Sequence, residues 1–312
     1  MQTKAQSIEE SARTVSKFSD YAQFMKFRLA SLVVFSAAIG YFMGIREFSR
    51  PADWLEITML VLGGFLVTGS SNGFNQIIER ETDKLMTRTA NRPIPTGRMS
   101  VAEGMVVAFI TGAVGIFLLW YYLNPLSGIL SALSLLLYVV LYTPMKKVSP
   151  VAVFVGAFPG AIPTMLGWVA ADPGFGKIGV TALILFAIQF VWQFPHFWAI
   201  AWVADDDYRR AGFRLLPSAG GRDRSTAFQI LVYTLFLMPV SVLPLLLPIR
   251  SADGTTLLSA GIAGVLISVV CGALFAAQAF RLYRTLDTRD ASRVMFGSFI
   301  YLPVVQLALL FG

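Results

Sequence analysis

The sequence predicts an all-α polytopic membrane protein, nine transmembrane helices around a central cavity that opens to the cytoplasmic side. Three observations carry this. Of the 312 residues, 56% are hydrophobic and 14% charged, and the mean hydropathy is +0.66; soluble domains run nearer half apolar and a quarter charged. Nine apolar runs approach or exceed the roughly 20 residues a spanning helix needs. The basic residues also fall in alternate loops, which fixes a direction across the bilayer. In so apolar a chain, the net charge of +7 reads as loops facing anionic lipid. Nucleic acid is not expected as a partner; the lipid bilayer is.

Residues 1–28 are polar and of mixed charge, with no apolar stretch of the kind a cleaved leader carries. They read as a cytoplasmic segment, and Ser16 to Leu29 as an interfacial helix leading into the first span. Residues 29–312 form one transmembrane domain. Its spans are expected at about 29–45, 55–78, 103–123, 126–143, 151–171, 179–203, 227–249, 255–280 and 292–311. With the N-terminus inside, all but Arg46, Arg50, Lys177 and Arg250 of the 25 lysines and arginines face the cytoplasm. The C-terminus is then external. Cys271, the sole cysteine, excludes an intrachain disulfide and reads as a small buried hydrophobe. Gly63, Gly64, Gly69, Gly156 and Gly160 read as points of close helix contact. Pro159 and Pro163 should bend the fifth span, where opened backbone must line protein or water.

Two loops break the pattern, 79–102 and 204–226. The first follows Asn75, Glu79 and Asp83, spaced i, i+4, i+8 and so on one helical face. Like charges at i, i+4 repel, and a helix C-terminus disfavours anions. The second repeats the arrangement four spans later with Asp205, Asp206 and Asp207, then Arg209 and Arg210. Such repeats bring their sites to a central cavity. Local cations outnumber the acids, so a further anion is expected. Mg²⁺ on one or two carboxylates, completed by substrate phosphates, satisfies both signs. Arg88 and Arg92 suit bidentate phosphate contacts, and Lys146 suits a point charge. The residues alone reach divalent-metal-dependent diphosphate chemistry beside lipid.

At these residues the chain resembles the UbiA-type intramembrane prenyltransferase superfamily. The family motif Asn-x-x-x-Asp-x-x-x-Asp reads here Asn75-x-x-x-Glu79-x-x-x-Asp83. Within the superfamily it is most similar to the protohaem IX farnesyltransferases, or haem O synthases. Their "MxRTxxRP" runs from Met86 to Pro93, and their "YTPLKR" is Tyr142 to Lys147 in altered form. "GAFPGAIPTMLGW", Gly156 to Trp168, and the stretch Trp192 to Pro217 match their remaining signatures. The similarity spans Tyr21 onward. Departures are Glu79 for Asp, Phe27 where proline is common in "KPR", Lys147 for Arg, and Ala152 where asparagine is common.

The resemblance implies transfer of a farnesyl group from farnesyl diphosphate to a vinyl group of haem b, with water addition, giving haem O and diphosphate. It implies Mg²⁺ held by Glu79, Asp83, Asp206 and Asp207, with Asn75 accessory. Arg88, Arg92, Lys146, Lys147, Arg209 and Arg210 would take diphosphate charge. Tyr142, Phe190, Trp192, Phe194 and Phe197 would shield the allylic cation. His196, the only histidine, becomes the candidate haem contact with Trp192 and Phe197, since imidazole commonly ligates haem iron. On a continuous helix His196, Ile200, Val203 and Asp207 share one stripe. A bacterial-type inner membrane is implied, with association with haem A synthase or terminal-oxidase assembly. The alternatives are a sibling enzyme prenylating an aromatic quinone precursor, a transporter of an anionic lipid or metabolite, and a haem chaperone. A transporter should carry charge near the midplane, and here charge crowds one face. A chaperone leaves the acidic loops unexplained.

Overall fold

The structure is a computed structural model that describes residues 16–45, 51–247, 249–250, 256–258 and 262–311. The expectations for residues 1–15, for Arg46 and Arg50, and for the start of the eighth run at 255 fall outside them. Among the described residues, nine helices are long and apolar enough to cross a bilayer. The all-α class and the nine spans therefore hold.

The chain enters through α1 (Lys17–Met25), capped by Ser16, whose side chain accepts from Ser19 N–H. This helix is docked on the protein. Arg98 Nε bonds Asp20 at 2.8 Å, Tyr21 donates to Glu103 at 2.8 Å, and Gln76 donates to the carbonyls of Gln23 and Phe24. Phe24 is fully buried against Gly73, where a Cβ would meet its ring at 2.5 Å. Lys26 then adopts φ +51°, uncommon for a residue with a side chain, and reverses the chain into the first span.

The spans are α2 (Phe27–Gly44), α3 (Pro51–Ile78), α5 (Val101–Tyr122), α6 (Pro125–Leu136), α8 (Ala152–Ala170), α9 (Val180–Val203), α11 (Arg224–Leu246), α12 (Ile262–Thr285) and α13 (Thr288–Phe311). The short α4 (Arg80–Asp83) and α10 (Asp205–Arg210) follow α3 and α9. The sequence explains the helix starts. Ser100 caps α5, Asn124 caps α6 ahead of Pro125, and Asp223 caps α11, each accepting a backbone N–H three residues on.

The fourth span departs from α geometry. After α6 the chain runs as a π-helix over Leu137–Tyr142 and finishes in one turn, α7 (Thr143–Met145). Pro144 carries no N–H to return to the preceding turn, so the wide turn costs little there. Thr143 Oγ1 donates to Tyr138 O at 2.8 Å. The eighth span also starts later than expected, at Ile262, because Thr256–Leu258 pairs antiparallel with Ile249–Arg250 as a small ribbon. An apolar run that opens on threonines does not by itself separate strand from helix.

The bundle is most enclosed at its middle spans: 72% of the α8 window is buried, against 22% for α5. Glycine sets the contacts. α2 and α8 meet at Gly40, Gly44 and Gly167; a Cβ on Gly44 would lie 2.6 Å from that of Ala171. Pro163 cannot donate to the carbonyl of Pro159, and Ser134 Oγ does so instead at 3.1 Å. Gly156 and Gly160 leave room for Tyr142 and the Gln193 amide.

Candidate active site

One cavity runs up the bundle from the end that carries the acidic loops, and Asn75, Glu79 and Asp83 all line it. α3 stops at Ile78 and Glu79 turns the chain (φ −91°, ψ 6°). The helical hydrogen bonds nevertheless continue, from Glu79 N–H to Asn75 O at 2.9 Å and from Asp83 N–H to Glu79 O at 2.7 Å. The predicted shared face survives the break. The three side chains are 2%, 3% and 0% exposed, so both carboxylates need compensation. Lys146 Nζ stands 2.5 Å from Glu79 Oε1, a close ion pair. Arg92 Nη1 lies 2.9 and 2.7 Å from the two Asp83 oxygens. Burial pushes the Asp83 carboxyl above its usual range, and Arg92 only partly opposes it. Asn75 Nδ2 donates to Thr143 Oγ1 at 3.4 Å, which ties α3 to the end of the π segment.

The second loop meets the first in a way the sequence did not suggest. α9 ends at Val203 and Ala204 (φ −98°, ψ 15°) starts a new direction for α10. The stripe from His196 to Asp207 is therefore broken. Asp207 accepts the backbone N–H of Thr87 at 3.3 Å and of Arg88 at 3.2 Å, and pairs with Arg210. Desolvation pushes its carboxyl up, but the Arg88 N–H, the Arg210 side chain and the Thr87 N–H outweigh that and hold it low. Arg214 N–H donates to Lys146 O at 3.2 Å. Gly212, at φ +74°, makes the turn that sets Phe213 5.6 Å from Lys146 Nζ. Arg88 reaches into the cavity, donates to Tyr208 Oη at 3.2 Å and lies 5.6 Å over its ring.

Several expected site residues are elsewhere. Asp206 is 80% exposed and pairs with Arg222 at 3.1 Å. Arg209 pairs with Asp205 at 2.9 Å. Lys147 is exposed. Asp206, Asp207, Lys147, Arg209 and Arg210 do not line the cavity, because arginines and first-loop amides have taken the second-loop acids. Among the described residues, no three Asp, Glu, His or Cys side chains converge to hold a metal ion. Of the five expected metal-ligand residues, Asn75, Glu79 and Asp83 line the cavity in this structure. These still fit a hard cation, since Mg²⁺ takes one or two carboxylates and leaves other positions to water and phosphate. The donor chemistry supports the fit: two buried carboxylates and an amide face one cavity.

Three residues were missed. Lys26 had served only to orient the chain, yet it lines the cavity. Desolvation lowers its ammonium to about 7; Arg92 and Lys146 add to that, and Glu79 and Asp83 oppose it. Tyr138 joins Tyr142 and Lys146 on the cavity wall, with the two rings 5.1 Å apart and Lys146 Nζ 4.9 Å from the Tyr142 ring. Their i, i+4, i+8 spacing was the available signal. Ser298, on the last span, carried none.

Further up, His196, Trp192 and Phe197 line the cavity as expected. His196 stacks on Trp192 at 4.4 Å and meets Phe299 edge-on at 4.7 Å. Its Nδ1 is 2.7 Å from Ser298 Oγ. Phe190 and Phe194 do not line the cavity; they pack with Phe154. Beyond His196 the wall carries two polar side chains, Ser36 and Gln189, among apolar ones. Gln306 links Ser36 to Gln189, which also accepts from Thr164.

The sequence model of the UbiA prenyltransferase family matches residues 33–302. The protoheme IX farnesyltransferase of Cytophaga hutchinsonii is 45% identical, over 94% of this chain and 97% of that protein. That of Koribacter versatilis is 38% identical, over 93% and 92%. Among solved structures, one from a study of digeranylgeranylglyceryl phosphate synthase in membranes superposes with a TM-score of 0.74 at 19% identity, covering 95% of this chain and 98% of that one. A UbiA homologue from Archaeoglobus fulgidus, bound to GPP and Mg²⁺, gives 0.62 at 14% identity, covering 93% and 99%. Nine spans, a buried Asn75–Glu79–Asp83 line and these matches over nearly the whole length lead to one conclusion: the chain belongs to the UbiA prenyltransferase family, alongside the protoheme IX farnesyltransferases.

Proposed function

We propose that this protein transfers the farnesyl group of farnesyl diphosphate to a vinyl group of haem b, with addition of water, to give haem O and diphosphate. The observation that carries this is one cavity with two chemistries. Its polar end holds two buried carboxylates beside Lys26, Arg88, Arg92 and Lys146, and its upper wall holds His196 among flat aromatic rings. Relatives 35–45% identical over most of the chain and named for this activity support the same reading.

The diphosphate belongs at the polar end. Mg²⁺, held there by Glu79 and Asp83 with Asn75, would supply Lewis-acid stabilisation of the leaving oxygens. Arg88, whose guanidinium has no carboxylate partner among the described residues, and Lys26 would take its outer charge. As the C1–O bond breaks, diphosphate leaves with the electron pair, and fixed cations already in place stabilise that charge. The allylic cation faces Tyr138 and Tyr142, whose rings favour a cation. The vinyl π electrons form the new bond to C1. Water then captures the cation left beside the macrocycle and loses a proton. The buried walls keep bulk water from the allylic cation until the vinyl group reacts.

The basic loops would face the cytoplasm, in a bacterial-type inner membrane with the C-terminus outside, which the lysine and arginine asymmetry supports. The test is direct. Purified protein in lipid, given haem b, farnesyl diphosphate and Mg²⁺, should yield haem O by mass. Product from 4-hydroxybenzoate in place of haem b, and none from haem b, would overturn the reading.

A further inference from the structure

The upper cavity contains a hydrogen-bond chain whose direction can be worked out. Ser298 is fully buried on α13. Its hydroxyl has one proton and two acceptor sites. Ser298 Oγ lies 2.5 Å from Met295 O, a carbonyl that can only accept, so the hydroxyl proton goes there. The same oxygen is 2.7 Å from His196 Nδ1. With its proton committed, Ser298 can only accept at that contact, so Nδ1 must carry the ring hydrogen. In a neutral imidazole the other nitrogen, Nε2, is then a bare lone pair. Nε2 has no polar partner among the described residues and is not among the buried atoms that lack one, so it keeps accessible surface, and the space His196 borders is the cavity. Residue 298 fixes the stacked partner too, since Trp192 Nε1 donates to Ser298 O at 2.9 Å.

We infer that Ser298 is a positioning residue: it locks His196 in the Nδ1–H tautomer and turns the Nε2 lone pair into the cavity, where it ligates the iron of the haem substrate. Histidines that ligate metals characteristically donate their other N–H to a fixed acceptor, and losing that acceptor typically weakens binding about 10–100-fold. Here a serine hydroxyl on the last span is the acceptor. The inference rests on the haem reading above.

The chain has a single histidine, so protein purified without a histidine tag and labelled with ¹⁵N-histidine gives one imidazole spin system. In the wild type it should show a protonated Nδ1 and an unprotonated Nε2. In Ser298→Ala it should move toward the other tautomer, and Ser298→Thr should restore it. Haem b should bind the wild type with an imidazole-ligated absorption spectrum. Ser298→Ala should bind haem b about 10–100-fold more weakly, and iron-free protoporphyrin IX as tightly as the wild type does. His196→Ala should lose the ligated spectrum. The inference is overturned by a wild-type imidazole protonated on Nε2, by equal weakening of haem and protoporphyrin in Ser298→Ala, or by an unchanged haem spectrum in His196→Ala. A wild type with the ligated spectrum that makes no haem O would instead sink prenyl transfer, and the tautomer and spectra would still decide the role of Ser298.

Discussion

Burial in the cavity lowers the Lys26 ammonium to about 7; its neighbours Arg92 and Lys146 add to that, and Glu79 and Asp83 oppose it. Above that pH the ligand-free protein holds Lys26 largely neutral, so a diphosphate must draw a proton in as it binds. Below it the charge is already present. Farnesyl diphosphate affinity of the wild type, divided by that of Lys26→Met, should therefore be greatest below pH 7. It should fall above that by up to about tenfold per pH unit, and a flat ratio would contradict the placement. Lys146 carries a different expectation. It neutralises a Glu79 that is 3% exposed, so Lys146→Met should cost about 3–5 kcal/mol of stability. Adding Glu79→Gln should recover much of it, as thermal unfolding in detergent would show. Asp206 is 80% exposed, so Asp206→Asn should shift stability by no more than about 0.5 kcal/mol and leave turnover close to wild type. The first acidic line was legible because helical spacing fixes which side chains share a face. Ser298 was not, since one serine in an apolar span is common and only the fold brings it to His196.

At the scale of the element, the sequence disclosed helices more readily than their ends. The apolar runs marked the spans, while the caps at Ser100, Asn124 and Asp223 set starts that the runs alone do not. The break at Ala204 was invisible, because nothing in Trp-Val-Ala-Asp-Asp forbids a continuing helix. That break turns Asp207 onto the first loop, where it clamps the amides of Thr87 and Arg88. Asp207→Asn should keep the fold and weaken the clamp, seen as faster amide exchange at Thr87 and Arg88 than in the wild type. The π segment was equally hidden, although Pro144 sits where such a turn is tolerated. The α2–α8 contact depends on glycine at both faces. Gly167→Ala would drive a methyl into the carbonyl of Ala37 and should cost at least about 1–3 kcal/mol, lowering the unfolding temperature in detergent.

For the molecule as a whole, class, span number and the existence of two interacting polar loops were legible, because bilayer thickness sets a length scale that composition reports. How the loops meet was not, because ion pairing decides it. If Asn75, Glu79 and Asp83 hold the only protein oxygens for Mg²⁺, chelation should abolish turnover and added Mg²⁺ should restore it. Asp83→Asn should then lower turnover far more than Asp206→Asn.

The touching of α2 and α8 across the ring has a kinetic consequence. α2 packs on α3 to one side and α13 to the other, while α8 packs on α6 and α9. The cavity beside that contact is lined by Val67, Leu119 and Ser131 from α3, α5 and α6, and by Gln189, His196 and Phe299 from α9 and α13. If, under the proposed reaction, a long isoprenoid follows the first wall and a flat tetrapyrrole the second, the two need not queue for the same volume. Either can board first, and double-reciprocal plots at varied co-substrate should intersect rather than run parallel.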